Sequence, residues 1–186
     1  MLLTKRHPRF VFSTIANMMT TKKNFLLQHR QTILDGIDHI DRNYYRDDFL
    51  TSLNSVGWKC VIVPDSEWCE GKVYPTESSK EHQEVRILNS YARGNFRLCG
   101  FWDSDGWTFH ELAHAVIFSG LLPQKFLDIN SPFSYPLNTD EIYCFGYQMR
   151  EMLNDGTYGN LMKFYADAGL EDEIGTKLSI LKECLF

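Results

Sequence analysis

The chain changes its hydrophobic period twice, and that restricts it to a small set of folds. From about Lys22 to Leu53, apolar residues recur at helical spacing: Phe25, Leu26, Ile33, Leu34, Ile37 and Ile40, then Tyr44, Phe49, Leu50 and Leu53. This predicts one long helix or two shorter ones. Four short apolar runs follow: "WKCVIVP" (58–64), "KVYPT" (72–76), "EVRILNSY" (84–91) and "FRLCGFW" (96–102). Turn signals such as "ARGN" (92–95) separate them, so a sheet of three or four strands is expected. The pattern then becomes helical again. "DSDG" (103–106) offers N-caps and Gly120 a stop, "SPFSYPLN" (131–138) is loop by its two prolines, and Asn138 or Thr139 opens a helix to about Leu153. "NDG" (154–156) ends that helix, and one or two more complete the chain. Helix, small sheet, then helices is an α+β layout.

A chain of 186 residues fits one domain with a real core. The expected division is a basic N-terminal segment, 1–22, and one domain over 23–186. The formal net charge of −5 gives no reason to expect nucleic-acid binding, and no apolar run approaches a membrane span. The charge is uneven, however: the first 34 residues hold six Lys or Arg and no acid. "FVFSTIANMM" after "KRHPR" has the outline of a short signal h-region, but Ser13, Thr14 and Asn17 interrupt it and no small-residue cleavage site follows. A targeting role is the lesser reading. The five cysteines are scattered without a CxxC pair, which favours reduced thiols and a cytoplasmic protein, with one disulfide left open.

The chemistry is concentrated in "HELAH" (110–114). On a helix, His110 and His114 lie on one face about a turn apart and can turn both imidazoles to one metal ion. Glu111 is rotated from that face enough to reach a water in the open coordination position. Zinc lowers the pKa of such a water towards about 7, and Glu111 would take its proton as general base. Leu112, Ala113, Val116 and Ile117 make the rest of the helix apolar, as a buried active-site helix requires. The bland reading is two packed histidines. His29, His39 and His82 carry no such pattern and read as ordinary helix or loop residues.

These residues, with an acid opening a later helix, resemble the zincin metallopeptidases and, within them, the compact gluzincins. The metzincin extension is absent, because Ile117 and Gly120 stand where that pattern has Gly and His. The resemblance implies a small mixed sheet packed on the HExxH helix, one Zn2+, and a third ligand on a following helix. Glu141 in "YPLNTDEIYCFGYQM", 27 residues after His114, fits that place. Asp140 is the alternative, and Asn138 with Glu141 also fits a capping box. An oxyanion donor is expected from Tyr135, then from Tyr143 or Tyr147. Asp128 or Asp140 could take the second nitrogen of a ligating histidine. The strand nearest the site, "FRLCGFW" or "EVRILNSY", would hold an extended substrate by edge pairing.

The expected function is therefore a zinc-dependent peptidase acting on a peptide or protein through Glu111, His110, His114, Glu141 and Tyr135. The alternative is a non-catalytic metal-binding or sensor domain of the same fold, against which Glu111 argues. A third reading leaves "HELAH" accidental on an ordinary α+β interaction domain.

Overall fold

The computed structural model describes residues 8–67, 74–95 and 103–186. The expected strand at 96–102 and the start of that at 72–76 lie outside them. Among the described residues the architecture is α+β, with a three-stranded sheet and eight α-helices.

Helix α1 (Pro8–Tyr44) passes residue 22 without a break, so the expected segment boundary there does not coincide with the end of a helix. Leu26, Ile33, Ile37 and Ile40 are fully buried and form one stripe along it. The helical stretch to Leu53 resolves into two helices because Asp48 caps α2 (Phe49–Ser55), its Oδ1 accepting from Thr51 N at 2.8 Å and its Oδ2 from the Thr51 hydroxyl at 2.8 Å.

Strand β1 (Lys59–Val63) runs parallel to β3 (Glu84–Leu88), and β2 (Thr76–Ser79) runs antiparallel to β3, giving the order β1-β3-β2. Two expectations are corrected here. The "KVYPT" strand starts later, at Thr76, because the ladder with β3 begins only beyond Pro75, which has no N–H to donate. "EVRILNSY" is strand only to Leu88. Its last residues enter helix α3 (Asn89–Asn95), which also absorbs the expected "ARGN" turn. A contact from 25 residues upstream supports the switch: Asp65 Oδ1 accepts from Ser90 N at 2.9 Å and so satisfies an N-terminal amide of α3.

Val85 and Ile87 on β3 are fully buried, and their β2 partners Ser78 and Thr76 share that inner face. Helix α4 (Trp107–Phe118) lies against it and is buried on nearly every side. Asp103 is its true cap: one carboxyl oxygen accepts from Asp105 N at 3.0 Å and Trp107 N at 3.1 Å, the other from Thr108 N at 3.0 Å. Gly106 adopts φ +69° between cap and helix, where a Cβ would also lie 2.8 Å from Met152 Cγ. At the other end Gly120, also φ +69°, closes a Schellman motif through Gly120 N to Ile117 O and Leu121 N to Val116 O, each 3.0 Å.

A short helix α5 (Gln124–Leu127) and a loop lead to α6 (Thr139–Asn154), which packs along α4. Arg150 fastens α6 to α1 through Asp38 at 2.6 Å and Asp41 at 3.5 Å, and the Tyr147 hydroxyl donates to Asp41 at 3.1 Å. Helix α7 (Tyr158–Asp167), a π-helical turn and α8 (Thr176–Leu185) complete the fold. Arg30 of α1 donates to the terminal carbonyls of α8, Cys184 O at 3.1 Å and Leu185 O at 2.9 Å. Among the described residues no helix is long and apolar enough to cross a membrane.

Candidate metal centre

The packing of α4 on α6 sets Glu141 against both histidines. Its Oε2 lies 3.4 Å from His110 Nε2 and its Oε1 3.5 Å from His114 Nε2. Both separations exceed the roughly 2.7–2.9 Å of a charge-assisted hydrogen bond. Each carboxylate oxygen thus stands from one imidazole at about the 3.4 Å that separates two ligand atoms sharing an ion at about 2.1 Å. Among the described residues the buried Glu141 Oε2 has no hydrogen-bond partner. The capping-box reading does not form: no side-chain bond closes the helix start at Asn138, and the Glu141 carboxylate points to the imidazoles instead. Asp140 acts on His114 only through space.

The three groups polarise one another. Burial opposes charge on His110, but Glu141, then Glu111, outweigh it and hold its pKa above the ordinary histidine value. Burial and the neighbouring His110 ring push His114 below that value. Burial would raise Glu141, yet His110 and His114 hold it below the usual carboxylate range. Aromatic neighbours fix the rings: Phe145 meets His110 edge-on with centroids 4.4 Å apart, and Phe118 stacks on His114 at 5.1 Å.

Glu111, 4% exposed, faces β2. Its Oε1 accepts from the Thr76 hydroxyl at 2.7 Å and its Oε2 from the Ser78 hydroxyl at 2.5 Å. Each carboxylate oxygen keeps a second acceptor site for a water. Thr76 and Ser78 were not among the expected site residues. Their only sequence signal is hydroxyls two apart in "PTES", the period that places both on one face of a strand.

A groove of about 280 Å3 is lined by these residues and by Tyr74, Tyr135 and Phe118, among others. Tyr135 thus reaches the site, with its hydroxyl donating to that of Tyr74 at 2.9 Å. Burial raises both phenols, so they stay protonated, and one shared bond leaves the pair an O–H to offer the groove. Tyr74 was also missed. The other expected donors are occupied in packing: Tyr143 donates to Phe126 O at 2.5 Å, and Tyr147 is bound to Asp41. The expected second-sphere acids are not in place either. Among the described residues Nδ1 of His110 and of His114 has no hydrogen-bond partner, while Asp128 accepts from Gln124 at 2.9 Å.

The strand beside the groove is β2, an edge of the described sheet; β3, which carries "EVRIL", is central and has no free edge to lend. A larger hollow of about 580 Å3 on the outer face of the sheet holds Glu77, His82 and Arg86. Comparison with known proteins finds no matching family model, no matching curated protein and no matching solved structure.

Proposed function

We propose that the chain is a zinc-dependent metallopeptidase of zincin type. The observation that carries this reading is Glu141 set 3.4 and 3.5 Å from the Nε2 atoms of His110 and His114, with Glu111 in the same groove. His110, His114 and Glu141 would hold the ion: one oxygen of Glu141 faces each imidazole, and among the described residues its Oε2 has no hydrogen-bond partner. When bound, zinc supplies Lewis acidity, acidifying a water in its open position and polarising a carbonyl.

The remaining work belongs to side chains of this chain. Thr76 and Ser78 orient the Glu111 carboxylate, which takes a proton from the attacking water and returns it to the leaving amine. Tyr135 donates its hydroxyl to Tyr74 and steadies that ring, and Tyr74, which keeps its own O–H, would donate to the developing oxyanion. β2, an edge of the sheet formed by the described residues, would offer backbone groups to an extended peptide. A purely metal-binding module would not need Glu111.

The test is metal content by mass spectrometry with hydrolysis of a quenched-fluorescent peptide library. Stoichiometric zinc is expected in the wild type and in Glu111→Gln, and loss of zinc in His114→Ala and Glu141→Ala. Hydrolysis should vanish in Glu111→Gln. A wild type that takes up no zinc on reconstitution overturns the reading. Zinc-loaded wild type without hydrolysis assigns the chain to the metal-binding alternative.

A further inference from the structure

Three residues beyond Glu141, and therefore on the same face of α6, stands Cys144. It is completely buried, and its Sγ and one ring nitrogen each of His110 and His114 all lie within 4.8 Å of one another. His110 is itself only 4% exposed, and each ring keeps a buried Nδ1 that has no hydrogen-bond partner among the described residues. Two donor sets therefore share the same pair of histidines. One, with Glu141, opens on the groove; the other, with Cys144, faces the core.

We propose that Cys144 is a metal ligand and that the centre has two modes. In the inward mode His110, His114 and the Cys144 thiolate hold a thiophilic divalent ion, zinc or cadmium, away from the groove. In the outward mode Glu141 replaces Cys144. This rests on the zinc-site reading above and adds a resting state to it. Imidazole and thiolate together form a donor set that zinc accepts readily, and a thiolate favours softer ions over the oxygen-preferring ones.

Entry into the inward mode breaks the S–H bond of Cys144 and forms a sulfur–metal bond, and the proton leaves to solvent. The change to the outward mode forms the Glu141 oxygen–metal bond, breaks the sulfur–metal bond and returns one proton to sulfur. No electron transfer is involved.

Cobalt substitution tests this without any assay of activity. Cobalt-loaded wild type should show a near-ultraviolet thiolate-to-cobalt charge-transfer band. The band should be lost in Cys144→Ser and kept in Glu141→Gln. In case Cys144→Ser fails to fold, 113Cd NMR of the wild type reads the donor directly, since a thiolate moves the resonance far downfield of an all-nitrogen-and-oxygen site. Cobalt bound stoichiometrically with no charge-transfer band, or 113Cd at the upfield position, overturns the role of Cys144 and leaves the three-ligand site standing. No cobalt or cadmium binding by folded wild type overturns both.

Discussion

The Thr76 hydroxyl lies 2.7 Å from Glu111 Oε1, joining the edge of the sheet to the helix that bears the paired histidines. That bond crosses between elements 35 residues apart and sets which way the carboxylate faces. Thr76→Val keeps the shape and removes the donor, leaving Ser78 to hold the other oxygen. We expect a stability loss of about 1 kcal/mol in urea titration. Zinc content should be unchanged, and peptide hydrolysis should fall about tenfold. If hydrolysis is untouched while stability falls, Thr76 only packs.

Asp103 supports α4 through three backbone amides and accepts the Tyr91 hydroxyl at 2.9 Å. It is 5% exposed, so its loss would strand those donors out of water. Asp103→Ala should cost about 2 kcal/mol, read from the urea midpoint at constant slope. Asp103→Asn, which retains one acceptor oxygen, should recover part of that. A variant as stable as wild type would show that the helix does not depend on this cap.

If the centre holds zinc as proposed, the polarised trio makes its affinity depend on pH in a specific way. The His110 pKa is raised, so its ring stays protonated to a higher pH than free histidine, and zinc must displace that proton. His114 is lowered and competes only at a more acid pH, while Glu141 is lowered and stays anionic. Chelator competition should therefore show affinity falling first with about one proton per zinc, as His110 becomes protonated, and with about two only at more acid pH, where His114 follows. A slope that goes to two in a single step would contradict this ordering. In the metal-free protein, the Glu141–His110 pair stabilises the fold between the two folded pKa values. The Glu141 contribution is lost as pH falls through its lowered value, and the His110 contribution as pH rises through its raised one.

What was legible in the chain follows the range of the interactions involved. His110 and His114 share a face by helical spacing alone, and Glu141 opens its helix next to a proline-bounded loop, so their meeting needed only that α4 pack on α6. Thr76, Ser78 and Tyr74 enter the groove because β2 lies beside α4, a neighbour relation no local pattern encodes. The Pro75 boundary could have placed β2, whereas α3 could not be found locally: its start is satisfied by Asp65, 25 residues upstream of Ser90. Cys144 sat in plain view at three residues from Glu141, but the same spacing describes any core residue of α6.

The clasp of Arg30 on the carbonyls of Cys184 and Leu185 has a consequence for how the molecule opens. The last turn of a helix ordinarily frays, because its carbonyls lack partners. Here those of α8 are held by a residue from the far end of the sequence. Amide protons in α8 should then exchange no faster than those of the facing part of α1, so that the two ends of the chain keep one clock.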